Sequence, residues 1–193
     1  MIGAYRYLIR SLRLTVLSLT LTSLASCSAT NSPRESDANS QALLEILQTN
    51  FATSAGGQKS LSDLQGRIVL VNFFASWCAE CAHEVSSLKN LATSFEGTDF
   101  SVVGVAVSDD PVNAKQFVSR LQIPYPVLLD PAGELKQFFS IKELPVTLIL
   151  DREGRPLQFQ DPKTGAVTAK FEGGRRWDTA QPVEMIAGLV EGR

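Results

Sequence analysis

Residues 68–74 read Ile-Val-Leu-Val-Asn-Phe-Phe, an almost wholly apolar run that predicts a central strand covered on both faces. Upstream, Ala42 to Gln48 predicts a short helix. The segments 51–54 and 58–61 flank Ala55-Gly56-Gly57, which predicts a hairpin. Downstream, Val85, Leu88, Leu91, Ala92 and Phe95 recur at helical spacing, and residues 100–107 form a second apolar run. Ala114, Phe117, Val118 and Leu121 follow the i, i+3, i+4, i+7 stripe of a helix lying on a sheet. A short strand at 127–129, a helix marked by Leu135, Phe138 and Phe139, and a strand at 146–150 after Pro145 complete the middle of the chain. Asp151-Arg152-Glu153-Gly154 then turns into a further strand, and Val183, Ile186, Ala187 and Val190 predict a terminal helix. Strands alternating with helical stripes predict an α/β sheet with helices on both faces.

The N-terminus has a different pattern. Arg6, Arg10 and Arg13 precede an uncharged, mostly apolar run at 14–25. Twelve residues fall short of the roughly 20 needed to cross a bilayer as a helix, and these proportions suit a signal peptide. The run closes on Leu24-Ala25-Ser26-Cys27, which resembles the bacterial lipoprotein signal, where the Cys is acylated and becomes the first residue after cleavage. The expectation is a signal peptide over 1–26, lipidated Cys27 with a polar tether over 27–40, and one domain over 41–193. Acyl chains contribute ~0.8 kcal/mol per buried methylene, so such an anchor holds without a membrane-spanning helix.

Composition narrows the class of protein. A hydrophobic content of 44% across 193 residues supports a packed core. The formal net charge is −2, and removal of the three N-terminal arginines leaves the remainder more acidic still. With no Lys/Arg run there is no electrostatic footprint for nucleic acid, and that class is set aside.

Of the three cysteines, the anchor claims Cys27, leaving Cys78 and Cys81 at C-x-x-C spacing. A disulfide closing so short a loop removes little unfolded-state entropy, so its value is chemical. The pair sits between a buried strand and a helix. Cys78 therefore falls at a helix N-terminus, where unpaired N–H groups and the helix dipole favour a thiolate, the nucleophile of disulfide exchange. Cys81 lies within the first turn, where it can resolve a mixed disulfide. Trp77 is expected to pack over the pair in a flat docking surface. Helical i, i+3 spacing puts Glu84 beside Cys81. No metal is expected, because a structural zinc site usually takes four Cys or His ligands and only Cys78, Cys81 and His83 remain. His83 is expected to face solvent.

Leu61-Ser62-Asp63-Leu64-Gln65-Gly66, the run from Val69 through Trp77-Cys78-Ala79-Glu80-Cys81 to Glu84, Leu144-Pro145, and Leu148 to Gly154 together resemble the TlpA-like and ResA-like branch of the thioredoxin superfamily. The resemblance covers about residue 50 to the C-terminus. It implies a thioredoxin fold, a central mixed β-sheet flanked by helices, here with an N-terminal β-hairpin extension. It implies a redox disulfide Cys78–Cys81, Glu84 as a buried carboxylate that exchanges the Cys81 proton, and a cis peptide at Pro145. The cis expectation rests on the resemblance alone, since only ~5–6% of X-Pro bonds are cis. Leu144 would offer its backbone to an incoming substrate strand. The implied activity is membrane-anchored, extracytoplasmic thiol:disulfide exchange, with reduction of protein disulfides favoured, for instance in cytochrome c or metalloprotein maturation. Its partners would be protein thiol/disulfide substrates and an upstream dithiol reductant, with no cofactor; the location would be the bacterial cell envelope, facing the periplasm or exterior.

Departures from the branch pattern sharpen the expectation. Asn72 stands six residues before Cys78, where thioredoxin itself usually carries an acid. Ala79 and Glu80 fill the pair where Pro is frequent at the second position, and the charge of Glu80 opposes stabilisation of thiolate, which favours a more reducing couple. Ser86 replaces a frequent Pro. Residues 157–171 are longer than the usual connection and predict an extended hairpin arm. Arg175-Arg176-Trp177-Asp178 is read as structural packing that leads into the last helix. A copper-binding assembly protein is the alternative reading, although Sco-like chaperones use C-x-x-x-C and a distant His. Peroxidase chemistry is disfavoured by the absence of a peroxiredoxin-type Pro/Thr/Cys arrangement before Cys78.

Overall fold

The computed structural model of the chain describes residues 35–160 and 165–192. The expected signal peptide, Cys27 and residues 161–164 of the arm lie outside the described residues. Among the described residues, five strands form the main sheet in the order β5-β4-β3-β6-β9: β3 Ile68–Phe74, β4 Phe100–Val107, β5 Val127–Asp130, β6 Val146–Leu150 and β9 Lys170–Glu172. β3 runs parallel to β4, and β4 parallel to β5, whereas β6 is antiparallel to both β3 and β9. This is the mixed sheet of a thioredoxin fold.

All seven residues of β3 are buried, as its unbroken apolar run predicts. The period-2 alternation of the strands then divides the core between two faces. Ile68, Leu70 and Phe74 of β3, Val102 and Ala106 of β4 and Ile149 of β6 share one cluster with helices α2 (Ala79–Ser94), α3 (Pro111–Leu121) and α5 (Ala180–Glu191). Val69, Val71, Phe73, Val103, Val105 and Leu148 face the other way, toward α1 (Glu35–Gln48) and α4 (Glu134–Phe138). Each large side chain so buried contributes on the order of 1.5–3 kcal/mol. Asn72 and Thr147 are partners across β3 and β6 and share the α2 face, where they are the polar positions of otherwise apolar strands.

Three elements differ from expectation. Helix α1 starts at Glu35 instead of residue 42, because an established helix adds a hydrogen bond per residue and needs no apolar stripe to continue. The N-terminal hairpin is short, with β1 Phe51–Ala52 paired to β2 Gln58–Lys59. It lies against the outer edge of β5, through a Thr53–Leu128 bridge and a Ser54 N–H to Val127 carbonyl bond of 3.0 Å. The predicted arm over 157–171 is divided: β7 Phe159–Gln160 pairs with β8 Val167–Thr168, while the end of the segment joins the main sheet as β9. Without β9, β6 would be an edge strand with unpaired backbone groups, and β9 satisfies them.

Candidate active site

Helix α2 begins one residue after Cys78. Cys78 is its N-cap in extended conformation, and its Sγ accepts the Cys81 backbone N–H at 3.1 Å. Cys78 and Cys81 are joined as a disulfide. The two sulfurs differ in access: Cys78 is half-buried, whereas Cys81 is 2% exposed and packs into the core on the α2 face. A reagent in solvent can therefore reach Cys78 and not Cys81. Trp77 is 68% exposed and stands at the surface just before the helix; Ala79, Glu80 and His83 lie on the outward side of the first turns.

The loop carrying Trp77 and Cys78 is held from below. Asp109 accepts the Ser76 N–H at 2.5 Å and the Ser76 hydroxyl at 2.9 Å. Asp109 follows β4, and the parallel β3–β4 pairing brings both loops to the same end of the sheet. No motif in the sequence pointed to this pairing across 33 residues.

Glu84 lies one turn along α2 from Cys81 and is 2% exposed. Its carboxylate accepts three hydrogen bonds. Trp177 Nε1 donates to Oε1 at 2.6 Å and the Arg175 backbone N–H to the same oxygen at 3.3 Å, while Asn72 Nδ2 donates to Oε2 at 3.0 Å. Asn72 Nδ2 also donates to Thr147 Oγ1 at 3.0 Å. Burial pushes the Glu84 carboxyl above its ordinary value; the bonds from Trp177, Asn72 and Arg175, and the Arg175 charge, pull it back only in part. The charge of Glu84, added to burial, raises the Tyr125 phenol in turn.

The Leu144–Pro145 peptide is cis. Val146, the first residue of β6, pairs with Phe73 near the end of β3, so Leu144 and Pro145 stand at the same end of the sheet as the Cys pair. Leu144 packs against the core cluster that also contacts Cys78. The Gly173 N–H donates to the Pro145 carbonyl at 3.0 Å.

The segment 173–178 is the part of the site that sequence reading missed. Residues 175–178 read as structural packing that leads into the last helix, yet they supply two of the three donors to Glu84. Trp177 is 1% exposed, edge-on to Phe171 of β9 with ring centroids 5.5 Å apart. The available signal was a lone Trp in an Arg-rich segment, which does not say which carboxylate its indole meets. Among the described residues, no group of three or more His, Cys, Asp or Glu side chains is placed to hold a metal ion, and no helix is long and apolar enough to cross a membrane.

Comparison with known proteins agrees with this fold. A family model described as the AhpC/TSA family matches residues 44–155. The thiol-disulfide oxidoreductase ResA of Oceanobacillus iheyensis is 31% identical over 75 residues, 39% of this chain and 39% of that protein. The thioredoxin-like protein YneN of Bacillus subtilis is 31% identical over 87 residues, 44% of this chain and 51% of that one. The chain thus spans about half or less of the length of these relatives. Among solved structures, a thiol:disulfide interchange protein of the thioredoxin family from Chlorobium tepidum aligns with a TM-score of 0.58 at 26% identity, over 72% of this chain and 93% of that one. A secreted Mycobacterium tuberculosis disulfide oxidoreductase aligns with a TM-score of 0.58 over 77% of this chain and 98% of that one; at 20% identity, that likeness is of fold.

Proposed function

The chain belongs to the AhpC/TSA family, and from that premise we propose that it is an extracytoplasmic thiol:disulfide oxidoreductase, lipid-anchored through Cys27, that reduces protein disulfides with Cys78 and Cys81. The observation that carries this reading is the asymmetry of the pair: an accessible Cys78 capping α2, bonded to a buried Cys81 one turn from the buried Glu84.

In the reductive direction, the Cys78 thiolate attacks a client disulfide. A Cys78–client bond forms and one client sulfur leaves as a thiolate, to be protonated. Cys81 then gives its proton to Glu84 and attacks Cys78 Sγ. The internal disulfide forms, and the second client sulfur leaves and takes up a proton. The client gains two electrons, the pair loses two, and an external dithiol restores the reduced pair. A carboxyl held above its ordinary range by burial is better matched to a thiol proton than a solvated one. Trp77 and the backbone at Leu144 and Pro145 would frame the client segment. Glu80, exposed beside the pair, works against thiolate and so toward a reducing couple.

The test uses the full chain with a disulfide-bonded protein client and a dithiol donor. Cys78→Ser is expected to abolish turnover, and Cys81→Ser to accumulate a mixed disulfide through Cys78, detected by mass spectrometry. Turnover surviving Cys78→Ser would sink the reading. A reduction potential near thioredoxin's, about −270 mV, supports the reducing direction, and one near about −120 mV reverses it.

A further inference from the structure

Segment 173–178 leaves β9 and crosses the site, touching each of its parts in turn. The Gly173 N–H reaches the Pro145 carbonyl. Gly174 lies so close to Glu80 that a β-carbon there would stand 3.3 Å from Glu80 Oε2. The Arg175 N–H and Trp177 Nε1 bind Glu84 Oε1, and the Arg175 carbonyl accepts a bond from Ser87 Oγ at 3.4 Å. Asp178 accepts from Asn90 Nδ2 at 2.9 Å, fastening the segment further along α2.

Two donors converge on Oε1, whereas Oε2 receives Asn72 Nδ2. An indole N–H, a backbone N–H and an amide NH2 can only donate; two of them fill both lone pairs of Oε1, whereas the single bond from Asn72 leaves a lone pair free on Oε2. The oxygen with room for a proton is therefore Oε2. We propose that Trp177 is a positioning residue of the redox site: its indole N–H holds Glu84 Oε1, favours the ionised carboxylate and leaves Oε2 to receive the exchanged proton.

The inference deepens the proposed role of Glu84 and rests on it for its link to thiol chemistry. The 2.6 Å bond to a fully buried indole carries it. The other titratable or charged groups around Glu84 are the Arg175 guanidinium on the crossing segment, the Tyr125 phenol before β5, and Cys81, Cys78 and Glu80 at the start of its own helix. Arg175 stacks over Phe171 at 4.5 Å and Trp177 at 5.4 Å, so the cation is placed by the same aromatic pair.

The experiment follows the Glu84 carboxyl carbon and the Trp177 indole N–H by NMR across a pH titration of the labelled full chain, with the Cys81 β-carbon followed in parallel on the reduced chain. In the wild type, the Trp177 N–H is expected to inflect together with Glu84 and to lose that inflection in Glu84→Gln, while the exposed Trp77 indole does not follow. Trp177→Phe keeps an aromatic ring but removes the donor. Losing a hydrogen bond to a charged acceptor is expected to move the Glu84 midpoint up by about one pH unit or more. The Cys81 profile should move with it. A Glu84 midpoint unchanged in Trp177→Phe, or a Trp177 N–H blind to Glu84, overturns the inference. If the variant does not fold, the wild-type N–H titration decides. A Glu84 midpoint that moves while the Cys81 profile stays put upholds the Trp177 assignment and instead refutes Glu84 as the proton partner of Cys81.

Discussion

Replacing Glu84 with Gln tests whether the buried carboxylate is costly to the fold when ionised. The introduced glutamine can accept from Trp177 and the Arg175 N–H through its carbonyl oxygen. Its amide would then meet the Asn72 amide, donor against donor, until Asn72 turns over and presents its oxygen instead. Thr147 Oγ1, now bonded to Asn72 Nδ2, can donate to that oxygen because a hydroxyl both donates and accepts. The variant should thus keep its hydrogen bonds. Glu84→Ala cannot: it removes the acceptor of the Trp177 and Arg175 N–H groups and of one of the two Asn72 bonds, at about 1–3 kcal/mol for each donor left unsatisfied.

The pH dependence separates the two protonation states. The folded carboxyl lies above its unfolded value, so the native state holds the proton more tightly. Protonated Glu84 contributes its full share of stability below the unfolded value of about 4.3, and that share is lost as pH rises through the folded value. Within this window, wild-type stability relative to Glu84→Gln should fall by up to about 1.4 kcal/mol per pH unit. Urea unfolding of both oxidised proteins at a series of pH values from acid to neutral measures the difference. A difference that is flat, or that grows in favour of wild type with rising pH, would refute the claim that desolvation outweighs the three hydrogen bonds.

Two predictions concern the scaffold beneath the pair. Asp109→Ala removes the acceptor of both Ser76 bonds and should cost about 1–3 kcal/mol in urea unfolding while raising the hydrogen exchange of the Ser76 and Trp77 amides; unchanged exchange would show that the loop is held by other contacts. Gly104→Ala would set a β-carbon 2.9 Å from Phe74 Cε1 and 3.1 Å from Val127 Cγ2, where Phe74 is already stacked on Phe117 at 5.2 Å; the overpacking should cost about 1–3 kcal/mol and lower Tm, and an unaltered Tm would show that Phe74 has room to yield.

What could be read along the chain is what short-range patterning governs. The unbroken apolar run at 68–74 announced a doubly covered strand, and the helical stripe after Cys81 placed α2 with Cys78 at its start. The i, i+3 step from Cys81 to Glu84 needs only the pitch of a helix. Helix α1 overran its predicted start because polar residues extend a helix without announcing it. The arm forms its hairpin as β7 and β8, but its end joins β6 as β9, which has no strand signal strong enough to name that partner.

The surroundings of the Cys pair were settled by pairings that no local pattern encodes. Asn72 meets Glu84 and Thr147 because β3 and β6 are antiparallel in one particular register, and a slip of one residue would send Asn72 to the opposite face. Asp109 reaches Ser76 because β3 and β4 run parallel and end together. Trp177 reaches Glu84 across 93 residues because β9 docks on β6 and returns the chain over α2. Sequence alone determined which residues could exchange electrons, since reactivity resides in residue type and local helix geometry. The sheet register decided which donors surround the buried carboxylate, since hydrogen bonding and desolvation depend on distances that only the folded chain defines.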